Sequence, residues 1–281
     1  MNKTLLFILL VLQLSITAQT RVMTYNIRNS NGDRGTVNDW NKRKGNLAAL
    51  IRKVDPDILG TQEVLRNQLK DLKKMLNDYE CFGVGRNNGK HAGEHSALFF
   101  KKEKYEQVLG GNFWLSETPG VPGSKSWDAA ITRICSWVEL KDKTTGTVFF
   151  VFNTHFDHKG KQARRNSAAL LRHTIDSLAG NNPVIVTGDF NLEPSDAGYT
   201  TMTDKTNFRV QLSDAYTEGA PNYTDCGFRI DNKHCSRIDY LFFSPQYSKS
   251  NYTLYTDNNG TYYPSDHCTI SAVLTLTGGK K

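Results

Sequence analysis

Apolar residues along the chain follow two patterns, one with a period of two and one with a helical period. Alternation at residues 21–27 predicts a strand. Apolar stripes at helical spacing predict helices over residues 40–53, 67–76 and 161–178, and Asp55-Pro56 ends the first of them. The other predicted strands cover residues 57–62, 96–100, 131–140, 148–154, 184–188, 237–243 and 269–276.

The order of these elements predicts one domain. No repeat or low-complexity linker divides residues 19–281, and many strands with few helices are typical of stacked sheets covered by helices. The chain has 281 residues, of which 38% are hydrophobic and 22% charged, and this excludes a collagen, a coiled coil and a disordered tail. Length alone favours about two domains, but β-rich sandwiches of about 250 residues often form one. We therefore predict a single domain.

The N-terminal residues differ from the rest of the chain. Lys3 precedes an apolar run at residues 5–12, and small residues then lead to Ala18. This run is too short to cross a bilayer, which takes about twenty apolar residues. A basic start, a short apolar segment and a small residue before the cut are typical of a secretory signal peptide. We predict a signal peptide at residues 1–18 and a protein that is secreted or periplasmic, without stable membrane association.

Export gives the five cysteines a context, because oxidising compartments permit disulfides. Cys226 and Cys235 bracket a short polar stretch, and we predict a disulfide between them. Cys135 and Cys268 lie in apolar strand patterns and are predicted to be buried thiols. The net charge of +7 fits a polyanionic partner as well as it fits a surface with scattered lysines.

Polar residues cluster at the ends of the predicted strands, where an apolar core does not need them. They are Asn26, Gln62, Glu63, His155, Asp189, Asn191, Asp239, Asp266 and His267. Taken singly, each has an ordinary structural explanation as a cap, a turn residue or half of an ion pair. Taken together, carboxylates, carboxamides and histidines at strand ends form the set required for a metal-assisted attack on phosphate.

The physical requirements of phosphate-ester hydrolysis explain this set. A phosphodiester is negatively charged and repels nucleophiles, so a hard divalent cation must neutralise its oxygens. Mg²⁺ takes oxygen ligands and keeps several waters, so one or two carboxylates are enough to hold it. A further carboxylate and a carboxamide can align the attacking water. A histidine paired with an aspartate is held in one orientation, and its charged form is stabilised.

Six short motifs occur along the chain in the order TYN, QE, NTH, GDFN, RIDY and SDH. In this order they resemble the endonuclease/exonuclease/phosphatase superfamily, whose fold is similar to that of deoxyribonuclease I. The resemblance covers nearly the whole chain and implies a four-layer α/β/β/α sandwich of two mixed sheets with the active site at one edge. The segments FWLSETP at residues 113–119 and SWDAAITR at residues 126–133 are similar to secreted bacterial members.

The resemblance also implies how the metal and the phosphate are bound. Glu63 would be the principal metal ligand, with Asn26 as a ligand or support and Asp266 assisting the metal or the water. Arg133 matches a phosphate-binding position. The implied cofactor is Mg²⁺, with Mn²⁺ as a substitute.

The resemblance implies that the remaining motif residues take part in the reaction. Asp189 and Asn191 would align the water and the phosphate. Asp239 would orient His267, which either takes a proton or acts as a charged stabiliser. His155 would contact the phosphate.

The sequence predicts the type of reaction but leaves more than one class of substrate open. The histidine of the NTH motif resembles that of the diesterase branches of the superfamily, which favours a phosphodiesterase or nuclease. Nucleic acid is one candidate partner. We also predict that the enzyme is a monomer. A basic helix start at Lys159, Lys161, Arg164 and Arg165 fits a nucleic-acid backbone or a solvated helix face. The alternative is a phosphomonoesterase acting on a small sugar, inositol or lipid-head-group phosphate. A non-catalytic binding protein is a third class, which the complete set of motifs disfavours.

Overall fold

The computed structural model describes residues 19–277, so the predicted signal peptide at residues 1–18 lies outside the described residues. The first sheet has six strands in the spatial order β11-β12-β1-β2-β4-β3. With labels numbered along the chain, its strands are β1 Gln19–Asn26, β2 Ile58–Val64, β3 Tyr79–Phe82, β4 His95–Lys101, β11 Tyr247–Tyr255 and β12 Thr269–Leu276. Both parallel and antiparallel pairs occur in it, so the sheet is mixed.

The second sheet also has six strands, in the order β5-β6-β7-β8-β10-β9. They are β5 Tyr105–Trp114, β6 Ile134–Asp142, β7 Val148–His155, β8 Val184–Asp189, β9 Ser213–Asp214 and β10 Asp239–Phe243. Here β7 and β8 run parallel, whereas β10 is antiparallel to β8. The two sheets pack face to face through an apolar layer that includes Val22, Leu98, Val151 and Leu241.

Helices cover the outer face of each sheet. They are α1 Trp40–Val54, α2 Arg66–Met75, α3 Lys161–Ala179 and α4 Ala197–Thr203. Leu47 and Leu72 on α1 and α2 pack against the first sheet, while Leu171 on α3 packs against the second. The predicted four-layer sandwich is therefore confirmed. None of the helices within residues 19–277 is long and apolar enough to cross a membrane.

The start of α1 follows from its flanking residues. The Asp39 side chain accepts a hydrogen bond from the backbone N–H of Asn41 and so caps the first turn. At the other end Asp55 takes a left-handed conformation with φ of 50°, and the following proline prevents another turn. The three predicted helices agree with the structure to within two residues at each end.

Two predicted strands begin later than expected. The segment predicted at residues 131–140 becomes a strand only at Ile134, because the backbone N–H of Ile131 instead donates to Asp157 Oδ2 at 3.2 Å. The strand predicted from residue 237 begins at Asp239, and the Arg237 side chain forms an ion pair with Asp214. Arg237 is therefore engaged by Asp214 and not by Asp239, its neighbour in the RIDY motif.

A buried polar network joins the two sheets near one end. Gln62 Nε2 on β2 donates to Asn153 Oδ1 on β7 at 2.7 Å, and Asn153 Nδ2 donates back to the Thr61 carbonyl at 2.9 Å. The sheets approach so closely here that a Cβ on Gly60 would stand 2.1 Å from Thr187 Oγ1. Only glycine fits at this position, and the network fixes the alignment of the two sheets.

Candidate active site

Strand direction brings the polar motif residues to one edge of the sandwich. Asn26 ends β1 and pairs in register with Gln62 on the parallel strand β2. On the second sheet, His155 at the end of β7 pairs with Asp189 at the end of β8. The antiparallel strand β10 begins at the same edge, with Asp239 opposite Asp189. The carboxyl ends of parallel strands and the start of an antiparallel neighbour therefore converge.

Glu63 is fixed by hydrogen bonds on both carboxylate oxygens. Its Oε1 accepts from Asn26 Nδ2 at 3.2 Å, and its Oε2 accepts from the backbone N–H and the side-chain amide of Asn29, both at 2.9 Å. Burial raises the pKa of Glu63, but these hydrogen bonds and the charges of His267 and Arg28 lower it overall. The residue has φ of 62° at an irregularity in the pairing of β2 and β4, a strained conformation typical of functional sites.

Asp266 provides a second carboxylate on this side of the cleft. Arg28 Nη1 lies 3.4 Å from its Oδ2, and the Ser265 hydroxyl donates to its Oδ1 at 3.2 Å. Burial is the main cause that raises the pKa of Asp266 to about 6, and the neighbouring charge of Glu63 adds to it. Two carboxylates whose charges repel one another in a buried cleft form a hard-oxygen donor set that fits a divalent cation.

Asp239 and His267 form the shortest polar contact between the candidate catalytic side chains. His267 Nδ1 lies 2.7 Å from Asp239 Oδ2. Burial lowers the pKa of His267, but the charges of Asp239 and Asp189 outweigh burial and raise it well above its usual value. The imidazole is thus held in one orientation in its charged form, with Nε2 directed towards Asp189 Oδ2 at 3.8 Å.

Asp189 lies at the centre of the cluster. Its Oδ2 accepts from Asn26 Nδ2 at 2.9 Å and lies 3.3 Å from His155 Nε2, while its Oδ1 accepts from the backbone N–H of Asn191 at 3.0 Å. Burial first, and then the charge of Asp239, raise the pKa of Asp189 to about 7. The hydrogen bond from Asn191 makes Asp189 a turn residue, which is an ordinary structural role. The Asp189 side chain nevertheless lines the cleft.

His155 stays neutral in this surrounding. Burial, followed by the positive charges of Arg133 and Arg86, lowers its pKa well below the usual value. The Nε2 atom of His155 lies 3.3 Å from Asp189 Oδ2. His155 therefore lines the cleft next to the central carboxylate.

Arg133 supplies positive charge to the lining of the cleft. Its Nη2 donates to His158 Nδ1 at 3.0 Å, and its Nε lies 3.5 Å from Asp157 Oδ2. Its Nη1 is buried without a hydrogen-bond partner among residues 19–277. A buried guanidinium nitrogen that lacks a partner is a donor available to a phosphate oxygen.

Asp189, Asp239 and His267 also meet the spacing of a metal site, because one ligand atom from each lies within 4.8 Å of the others. Their hydrogen bonds favour a different use. His267 Nδ1 is occupied by Asp239, and a charged imidazole has no lone pair for a metal. The carboxylate oxygens of Glu63 and Asp266, which also line the cleft, could hold a divalent cation instead.

The cleft between these groups has a volume of about 340 Å³. Besides the predicted residues, Arg28, Asn29, Glu94 and His158 line it. Arg28 and Asn29 lie two and three residues after Asn26, the last residue of the TYN motif, so their position after a strand was an available signal. Glu94 belongs to a loop without any such pattern. The motif residues Asn26 and Asp239 lie just behind the cleft lining, where they contact Glu63 and His267.

Trp114, Tyr263 and Arg164 lie outside the cleft lining. Trp114 is buried and donates to the Arg86 carbonyl at 2.5 Å, and Tyr263 is buried against Cys226 and Cys268. Arg164 is also buried, and donates to the Asp157 carbonyl at 3.1 Å. The exposed basic surface at the start of α3 therefore has one arginine fewer than the sequence indicates. Trp127 lies outside the set of cleft-lining residues.

The predicted disulfide is present between Cys226 and Cys235. The loop that it closes supports the cleft, because the backbone N–H groups of Cys226 and Gly227 donate to the Asp266 carbonyl at 2.8 and 2.9 Å. Cys135 and Cys268 are buried free thiols, as predicted.

Known proteins resemble the chain over most of its length. A mannosyl-6-phosphatase from Bacteroides thetaiotaomicron is 40% identical, covering 91% of this chain and 99% of that one, with a TM-score of 0.85. An endonuclease/exonuclease/phosphatase from Bacteroides vulgatus is also 40% identical, covering 92% of this chain and 99% of its own, with a TM-score of 0.86.

More distant relatives share the fold. The human Nocturnin catalytic domain is 22% identical over 92% of this chain and 94% of its own, with a TM-score of 0.73. Nocturnin from Drosophila melanogaster is 24% identical over 82% of this chain, which spans only 41% of that relative's length. Residues 23–267 match the Endonuclease/Exonuclease/phosphatase family, and the chain therefore belongs to this family of phosphoric ester hydrolases.

Proposed function

We propose that the protein is an exported, metal-dependent phosphomonoesterase that releases phosphate from a phosphorylated sugar. The observation that carries this proposal is the lining of the cleft, where Arg28, Arg133 and His267 lie next to carboxylates that would repel a second phosphate. The relative named as a mannosyl-6-phosphatase, at 40% identity over nearly its whole length, supports the same substrate class. The proposal replaces the diester preference drawn from the NTH motif alone.

Glu63 and Asp266, with Asn26 behind them, would hold the cation. The charge of Glu63 adds to burial in raising the pKa of Asp266, and a cation between the two carboxylates would relieve this repulsion. A bound Mg²⁺ or Mn²⁺ supplies positive charge to the phosphate oxygens. The metal type is part of the proposal and follows from the hard-oxygen donor set.

The chain's own groups divide the chemistry between them. Asp189, with a pKa of about 7, would accept a proton from the attacking water, and the Asn191 side chain would help to align that water. His267, kept charged by Asp239, would donate a hydrogen bond from Nε2 to the negative phosphoryl group. Arg133 Nη1 would bind another phosphate oxygen.

A substrate panel tests the proposal. Purified protein from residue 19 onwards, with Mg²⁺ or Mn²⁺, is assayed against mannose 6-phosphate, an inositol phosphate, bis-p-nitrophenyl phosphate, RNA and DNA. We expect phosphate release from the sugar monoester, loss of activity with EDTA, and recovery when the metal is restored. Cleavage of nucleic acid or of the diester without action on monoesters would instead support the diesterase.

Glu63→Gln tests the metal site separately, because it removes the charge but keeps the shape. We expect kcat/KM to fall by about 100-fold or more and the Mg²⁺ concentration for half-maximal activity to rise. Glu106→Gln, on an exposed position of β5, is the matched control and should behave as wild type. Full activity of Glu63→Gln at the same metal concentration would contradict the assignment.

A further inference from the structure

A short hairpin connects β3 to β4 and forms one wall of the cleft. Backbone hydrogen bonds close it, from Arg86 N to the Glu94 carbonyl and from Asn87 N to the Ala92 carbonyl, both at 3.0 Å. The side chains of Arg86 and Glu94 pair at 2.5 Å between Nη1 and Oε2, and only 12% and 15% of their surfaces are exposed. The hairpin thus presents a mostly buried ion pair, and its carboxylate lines the cleft.

The hairpin is held rigidly from outside. Trp114 Nε1 donates to the Arg86 carbonyl, and a Cβ on Gly89 would stand 3.2 Å from the Trp114 ring. A Cβ on Gly123 would stand 2.5 Å from the Asn87 carbonyl oxygen. Because two other segments press on the hairpin, the position of the Glu94 carboxylate is fixed before any ligand binds.

Glu94 lies near Glu63, one of the two carboxylates that we propose to hold the metal. The Asn29 side-chain amide lies 2.9 Å from Glu63 Oε2 and 3.4 Å from Glu94 Oε1, so one residue separates the two carboxylates. Glu94 Oε2 is engaged by Arg86, whereas the contact to Oε1 is long and leaves that oxygen with free acceptor capacity. A carboxylate at this place is unfavourable for a phosphate and favourable for hydroxyl groups, which donate to it.

We propose that Glu94, positioned by Arg86, binds hydroxyl groups of the alcohol part of the substrate and so determines specificity for a phosphorylated polyol. This inference rests on the proposed monoesterase function. A carboxylate accepts hydrogen bonds and cannot donate them, so it matches the hydroxyls of a sugar. The same charge repels a further phosphate, and a polyanion such as a nucleic acid is disfavoured at this wall.

Two substrates with the same leaving-group chemistry test the inference. Mannose 6-phosphate and n-propyl phosphate are both esters of primary alcohols, but only the first carries further hydroxyls. For Glu94→Gln we expect kcat/KM on mannose 6-phosphate to fall about 10- to 100-fold, the range of one hydrogen bond to a charged group. On propyl phosphate the change should stay within about threefold, because no hydroxyl is lost there. Glu106→Gln is the matched control on an exposed strand position.

A second variant separates binding from folding. Glu94→Asp keeps the charge but withdraws the carboxylate, and we expect the same selective loss on mannose 6-phosphate with a thermal unfolding midpoint close to wild type. Equal losses on both substrates in Glu94→Asp, or no loss on either, would overturn the inference while leaving the proposed function intact. A wild-type enzyme that hydrolyses neither monoester would overturn both.

Discussion

At the scale of single residues, the cleft separates two kinds of carboxylate by their surroundings. Glu63 accepts three hydrogen bonds and its pKa is lowered, so it stays charged. Asp189 is buried next to Asp239, and its pKa is raised to about 7. A carboxylate that stays charged and a carboxylate that can exchange a proton near neutral pH are the two kinds of group that a metal-assisted hydrolysis needs.

The pair Asp239 and His267 should act as one unit. The contact of 2.7 Å both orients the imidazole and keeps it charged, so removing either partner disables the same function. We expect His267→Ala to lower kcat by about 100-fold or more, and Asp239→Asn with His267→Ala to be little worse than His267→Ala alone. His234→Ala, at an exposed histidine, is the control. Losses that multiply in the double variant would show that the two groups act independently.

The motif residues were predictable because each stands at the end of an apolar run that forms a strand. Asn26, His155 and Asp189 are of this kind. Glu94 was not predictable, because its place in the cleft depends on Trp114 and Gly123, which press on the hairpin from distant parts of the chain. The sequence pattern also could not show that His155 faces Asp189, since this depends on the register of β7 and β8.

At the scale of elements, Asp157 ties the loop after β7 to the loop before β6. Its Oδ1 accepts from the backbone N–H groups of Lys159 and Gly160 at 3.0 and 2.8 Å, and its Oδ2 accepts from that of Ile131 at 3.2 Å. Burial raises the pKa of Asp157, but the backbone hydrogen bonds outweigh it and the pKa is strongly lowered. The loop before β6 carries Arg133. The Asp157 carboxylate therefore helps to position the Arg133 side chain in the cleft.

Asp157→Asn should destabilise the protein in a pH-dependent way. At pH 7 we expect a loss of about 2 kcal/mol in the free energy of unfolding, because the charged acceptor is gone. The lowered folded-state pKa stabilises the protein above the unfolded value of about 4, and this contribution is lost as the pH falls below that value. Urea unfolding at pH 7 and at about pH 3 measures the free energy of unfolding of both proteins. The difference between wild type and Asp157→Asn should be smaller at the lower pH. Asp78→Asn, at an exposed position, should show neither effect, and a pH-independent difference for Asp157→Asn would contradict this account.

The disulfide loop is the other element that supports the cleft. Replacing Cys226 and Cys235 by serine should lower the free energy of unfolding by about 2 kcal/mol, since a short loop in the unfolded chain is no longer closed. We expect kcat to fall as well, because Cys226 and Gly227 hold the Asp266 carbonyl next to His267. Urea unfolding and kcat measure the two effects, with Cys81→Ser as the free-thiol control. Unchanged turnover in the double serine variant would show that the loop does not support catalysis.

The strands that the sequence did not reveal share one property. They are β3, β5, β9 and β11, and each lies at the edge of its sheet. An edge strand is partly exposed and needs no continuous apolar pattern, and β5 even carries Gly110 and Gly111 in its middle. Central strands, buried on both faces, read as apolar runs and were found.

At the scale of the whole molecule, export remains a prediction from the N-terminal residues. We expect that expression of the full chain in a bacterium yields an exported protein whose N-terminus is Gln19, as measured by intact mass. Gln19 is also the first residue of β1, so processing there would keep the strand whole. Leu9→Arg interrupts the apolar run and should keep the uncleaved protein inside the cell. An exported wild-type protein that retains residues 1–18 would contradict the predicted cut.

The buried polar network around Gly60 has a consequence for how the protein gains activity during folding. Asn26 and Glu63 belong to one sheet, whereas His155, Asp189 and Asp239 belong to the other. Neither sheet alone holds a complete reactive centre, and contact between Gln62 and Asn153 sets their alignment. We therefore expect hydrolytic activity to be a late event in refolding. It should return with the docking of the two sheets, after the circular-dichroism signal of the strands themselves.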